Sequence, residues 1–153
     1  MTPPAASGPS PTELRVHPLL VVDAANVVGI VPDGWWHHRA EATKLLVEAL
    51  EPVAGSGLDS ARLPSKLGWL TQPPLEVVLV VEGAAGRTRG SRSVQVVKAP
   101  RSGDDAIVSL IAAAGERRKA VATGDRGLRA RLTELGAAAI PPSALPPRAR
   151  LPR

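Results

Sequence analysis

The stretch "LLVVDAAN", residues 19–26, decides how this chain is read. Four apolar residues, Leu19 to Val22, run without alternation and stop at Asp23, and Asn26 follows three positions later. A short unbroken apolar run is what a strand covered on both faces requires, and such strands belong to the middle of parallel sheets. The question is why such a strand carries a carboxylate at its end.

The same form recurs. "LEVVLVVEG" (75–83) predicts a second strand and is closed by Glu82. "SVQVVKA" (93–99) predicts a third, with Asp104 and Asp105 shortly after it. "KAVATG" (119–124) predicts a fourth, with Asp125 next, and "AAAI" (137–140) a short last one. Between them, apolar residues at helical spacing predict a helix over about 37–53, a second from about Asp104 through "AIVSLIAAA", and a third over 125–136 that stops at Gly136, a natural C-cap. A short helix around 60–70 is interrupted by Pro64, and "NVVGIVPDGWW" (26–36) reads as a loop. Strands alternating with helices give a Rossmann-like, three-layer α/β domain with a central, mainly parallel sheet of four to five strands.

Composition narrows the chemistry. The 153 residues contain no Cys, which excludes disulfides, zinc–thiolate sites and thiol nucleophiles. With no Phe or Tyr and three Trp, the core has to be built from Val, Leu, Ile and Ala. No apolar run reaches the ~20 residues that span a bilayer. No basic-then-apolar leader opens the chain, so no membrane partner and a cytoplasmic location are expected. The net charge of +5, much of it arginine, favours a polyanion such as nucleic acid. Pro-rich residues 1–16 and the basic, Pro-rich residues 143–153 are expected to be solvated tails around one domain over 17–142.

Ligands of open parallel sheets bind at the carboxyl ends of the strands. That edge would gather Asp23, Glu82, Asp104, Asp105 and Asp125. Crowded carboxylates repel one another unless a cation sits among them, and an all-oxygen set suits Mg²⁺ or Mn²⁺. Each acid also has a structural explanation: Asp104 or Asp105 could cap the helix that follows Ser102-Gly103, and Asp125, near Thr123, could cap the next. The coincidence at four strand ends favours a shared metal site.

At this point the motifs resemble a known family. "VVDAAN" is similar to the start of NYN domains, a branch of the PIN-like nucleases. "VVEG", "SGDDAIV" and "ATGDRGL" resemble that superfamily's later acidic motifs in the same order, over residues 18–140 and closest to its YacP-like members. The resemblance implies a metal-dependent ribonuclease. Asp23, Asp104 and Asp125 would be the core metal ligands, and Glu82 a further one or a water-bridged one. Asn26 would orient Asp23 or a phosphate, and Thr123 would hold the ligand loop. Three positions depart from the pattern: Ala24 stands for a Gly, Gly127 for a further acid and Val108 for a Glu.

Arg126, beside Asp125, is the first candidate for a phosphate contact. Arg87 and Arg89 lie in the glycine-rich loop after Glu82, which lacks the Gly-Lys-Ser/Thr ending of a P-loop. Trp35 and Trp36 could stack bases or pack a helix on the sheet. His37 and His38 are adjacent and therefore a poor metal pair. Besides the ribonuclease, a non-catalytic RNA-binding or partner-binding module and a small nucleotide phosphohydrolase remain as alternatives. RNA is the expected partner; a homodimer and a protein inhibitor stay open, the latter because some PIN proteins are toxins with antitoxins.

Overall fold

A computed structural model describes residues 17–152; the expected tail over 1–16 lies outside them. Five parallel strands form one sheet in the order β3-β2-β1-β4-β5, with β1 Leu19–Asp23, β2 Glu76–Val81, β3 Val94–Lys98, β4 Lys119–Ala122 and β5 Ala138–Ile140. Every pair is parallel, so all carboxyl ends share one edge. The central strand β1 is the stretch that opened the analysis, and all five of its residues are buried.

The strand alternation sorts the core into two layers. Leu20, Val22, Val77 and Leu79 face α1 (Ala24–Val28), α2 (Arg39–Leu50) and the short α3 (Val53–Ser56), meeting Val27, Leu46 and Leu50. Leu19, Val21, Val78, Val80 and Val121 face the other side, against Ile107 and Ile111 of α4 (Gly103–Ala113) and Leu128 and Leu132 of α5 (Arg126–Glu134). Each fully buried aliphatic side chain stabilises the fold by ~1.5–3 kcal/mol relative to exposure, which is how a core without Phe or Tyr holds together. Val108, where a Glu was expected from the family pattern, packs at the margin of the second layer.

Three sequence expectations need correction. Residues 26–28, read as the start of a loop over 26–36, belong instead to α1, which follows β1 immediately; a helix of five residues is too short to show a periodic signal. Ser102, and neither Asp104 nor Asp105, caps α4, its hydroxyl accepting from the Asp105 amide at 3.1 Å. The segment after β5 is not a solvated tail. Ala144, Leu145 and Arg148 are buried, and the Arg148 guanidinium grips both carboxylate oxygens of Asp33 at 2.8 and 2.9 Å. It also donates to the Val28 carbonyl at 3.1 Å, while the Leu151 amide donates to Asp33 at 2.8 Å. The Arg148 hydrogen bonds hold the Asp33 carboxyl far below the usual carboxylate range. Composition hid this, because one buried bidentate pair outweighs the solvation that Pro- and Arg-rich sequence otherwise favours.

Candidate active site

The carboxyl edge of the sheet positions the acids. Asp23 is the last residue of β1, Glu82 follows β2 directly, Asp104 lies in the first turn of α4, and Asp125 caps α5. Residues from four separate loops meet here because β2, β1 and β4 are neighbours and α4 enters from the β3 side. In register, Val22 lies beside Ala122 of β4, so Asp23 and Thr123 leave their strands at the same level.

Asp23 is 6% exposed. Its Oδ2 accepts a hydrogen bond from Thr123 Oγ1 at 2.9 Å, and Thr123 Oγ1 in turn accepts from the Asp125 amide at 3.1 Å. One buried hydroxyl thus ties the first acid to the backbone of the last. Asn26 reaches across to the same loop, its Oδ1 accepting from the Gly124 amide at 2.7 Å. Burial pushes the Asp23 carboxyl up, the Thr123 and Asn26 hydrogen bonds pull it back, and repulsion from Asp104 and Glu82 raises it again. Asp104 is raised too, first by burial and then by Asp125, with Arg131 opposing. Mutual repulsion of this kind requires that Asp23, Glu82, Asp104 and Asp125 share one field.

Two of the acids are also bound to backbone. Glu82 Oε2 accepts from the Gly103 amide at 2.5 Å, joining the β2 end to the start of α4. Asp125 Oδ1 accepts from the Leu128 amide at 2.9 Å, the capping role considered for it. Among the described residues no three His, Cys, Asp or Glu side chains are assembled as a ready ion cage.

Asp105 is drawn away from the other acids. Its carboxylate pairs with Arg131 at 3.0 Å in an exposed salt bridge. Successive helical residues point about 100° apart, so the "DD" pair splits between the acid edge and the outer surface. Arg126 is exposed at the start of α5, next to Asp125. Arg87 and Arg89 are exposed and line a different cleft, against Glu41, Lys44 and Glu48 of α2. Trp35 packs at the margin of the core while Trp36 stands 54% exposed, its ring edge-on to Trp35. Arg39 was not singled out in the sequence, yet its guanidinium lies over the Trp35 ring, 5.5 Å from the centroid. No local pattern signalled the contact, because Trp35 lies in a separate turn, Trp35–His37, and non-helical His38 parts it from α2.

No protein-family model matches the chain, and no curated protein matches it. Among solved structures it is similar to Rae1 (YacP) from Bacillus subtilis, crystallised as a single-site mutant: 19% identity, 82% of this chain and 70% of that chain, TM-score 0.57. The fold is YacP-like. The five-stranded parallel sheet flanked by helices agrees with the three-layer α/β fold expected from the strand pattern. At this identity the likeness speaks for the fold, and the site stands on this chain's own residues. No helix among the described residues is long and apolar enough to cross a membrane.

Proposed function

We propose that this chain is a metal-dependent ribonuclease that hydrolyses RNA phosphodiesters with water. One observation carries the proposal: four strand and helix ends at one edge of a YacP-like sheet bring Asp23, Glu82, Asp104 and Asp125 within electrostatic reach of one another, so that their repulsion adds to the burial that chiefly raises Asp23 and Asp104. Keeping buried like charges together opposes folding, and a cation among them would relieve that opposition.

The donor chemistry fits a hard divalent ion, Mg²⁺ or Mn²⁺, because every candidate ligand is a carboxylate oxygen. Asp23, Asp104 and Asp125 would hold it, with Glu82 as a further ligand or a partner through water. When bound, such an ion supplies the Lewis acidity that lets water attack phosphorus. Thr123 keeps the Asp23 carboxylate turned to the edge, and Asn26 keeps the β4 loop closed against α1. Arg126, exposed and next to Asp125 in the chain, offers a cation to an incoming phosphate, and Arg87 and Arg89 add exposed basic side chains after Glu82.

A second reading, a non-catalytic RNA-binding module, is favoured by the absence of a ready ion cage among the described residues and by the backbone bonds that occupy Glu82 and Asp125. The test is cleavage of a mixed single-stranded and structured RNA pool with Mn²⁺, Mg²⁺ or EDTA, with Asp23→Asn and Asp104→Asn alongside. Cleavage that needs metal and is lost in both variants is the expected result. RNA bound but intact under every metal overturns the ribonuclease in favour of the binding module. Hydrolysis of free nucleotides with RNA left whole points to the phosphohydrolase.

A further inference from the structure

Beside the acid edge, on the α1 and α2 side of the sheet, lies a small cavity of about 220 Å³. Its floor is Ala24 and Val28 of α1, with Ala25 at the exposed rim, and its walls include Trp35, Arg39 and Glu82. Two of these tie it to the acids: Ala24 follows Asp23 in the chain, and Glu82 is itself one of the four carboxylates. The volume falls below the ~300–1,000 Å³ of sites that take a drug-sized molecule, so it holds a flat fragment and not a whole nucleotide.

The lining is what a base needs. The small side chains of α1 leave a flat apolar floor. Trp35 is fixed in place; a Cβ added at Gly29 would lie 3.2 Å from its ring, so the indole rests on the α1 terminus. The guanidinium lying over that ring belongs to Arg39, whose side chain forms no hydrogen bond or ion pair with any described residue. It presents both a planar face and a positive charge at the mouth. The hydroxyl of Thr43, also in the lining, is already committed to the Arg39 carbonyl at 2.6 Å, so it is not free to donate to a ligand. Just outside, Trp36 offers an exposed ring. Aromatic and guanidinium planes next to an apolar floor hold single-stranded bases by stacking, with little preference for which base.

We propose that the pocket of Ala24, Ala25, Val28, Trp35, Arg39 and Glu82 receives one unpaired nucleobase of the RNA, next to the bond that is cut. The proposal rests on the ribonuclease reading for its substrate and names the substrate's form: single-stranded RNA at this position. A base held in a duplex stack cannot enter. Arg39 also offsets the repulsion that the acid edge exerts on a phosphate backbone, which a neutral pocket could not do.

The test is a binding titration followed by the fluorescence of the tryptophans, in EDTA, where the proposed cleavage is silent. Three probes are compared: a short single-stranded RNA, the same strand in a duplex, and an abasic ribose-phosphate oligomer of equal length. The native chain should bind the single strand about ten-fold tighter than the abasic oligomer. Ala25→Leu fills the pocket from an exposed rim position, and Arg39→Met removes the cation while keeping the stem. In both, the preference should shrink to two-fold or less, with melting temperatures near the native value. Equal binding of single-stranded and abasic oligomers, or a preference untouched in both variants, overturns the pocket. Metal-dependent cleavage without any base preference would sink the pocket alone. A base preference in EDTA without cleavage under any metal would sink the ribonuclease alone.

Discussion

Thr123 Oγ1 donates to Asp23 Oδ2 at 2.9 Å, joining residues that lie 100 positions apart and leave adjacent strands at one level. The hydroxyl is fully buried and the carboxylate nearly so. A buried carboxylate that loses its donor retains its desolvation penalty, and that asymmetry makes the pair testable.

Thr123→Val keeps the shape and removes the hydroxyl. Chemical denaturation should show a loss of about 1–3 kcal/mol. On the ribonuclease reading, Mn²⁺ affinity or cleavage should also fall about 10–100-fold, as for residues that orient a metal ligand. Thr123→Ser restores the donor and should recover most of both. Full activity in the Val variant would remove Thr123 from any positioning role.

Asp23 is raised above its usual value of 3.8, chiefly by burial. A raised carboxyl favours folding while it is protonated and loses that contribution as pH climbs through its folded value. Asp23→Asn is therefore expected to melt higher than the native chain at pH 7 in EDTA, and the gap should close as pH drops below the usual carboxylate range. Saturating Mn²⁺ should reverse the order at pH 7, because binding stabilises only the chain that keeps its ligand. Identical melting curves at both pH values would mean that Asp23 is not strained by its burial.

Gly103 separates stability from function. A Cβ there would stand 3.0 Å from Glu82 Oε2, whose carboxylate accepts from the Gly103 amide. The crowded atom is the tip of a flexible side chain, so Gly103→Ala should fold within about 1 kcal/mol of native. The shifted Glu82 should nonetheless lower cleavage. Unchanged cleavage would place Glu82 outside the working set of acids.

The Asp33–Arg148 pair predicts the opposite pH behaviour to Asp23. Asp33 is lowered, first by the Arg148 hydrogen bonds, so its contribution is present above the usual carboxylate range and lost as pH falls through the lowered folded value. Asp33→Asn should melt below the native chain at pH 7, and the difference should narrow in strong acid. A gap that is constant with pH would assign the effect to packing and not to charge.

Much of this was legible in the sequence. Leu19–Asp23 was readable to the residue because a strand buried on both faces has no polar position inside it. The acids at Asp23, Glu82, Asp104 and Asp125 were readable because parallel topology alone sends strand ends to one edge. What escaped were pairings that no local pattern encodes. Arg148 finds Asp33 across 115 positions, and Asp105 finds Arg131 across 26. Arg39 escaped for a different reason: its value lies in the ring beneath it and in the cavity it borders, which a helix-start arginine does not announce.

The Arg148 clamp has a consequence for which part of the site opens first. The acids stand on the sheet itself, whose strands are all paired. Loop 29–34, which leads into Trp35, is instead held by a residue 115 positions away from Asp33, through side-chain bonds to Asp33 and Val28. Local opening begins where few bonds hold a segment. The two halves of the site therefore differ in what keeps them shut: the carboxylates share the stability of the whole sheet, while the aromatic wall beside them is only as firm as one arginine clasp.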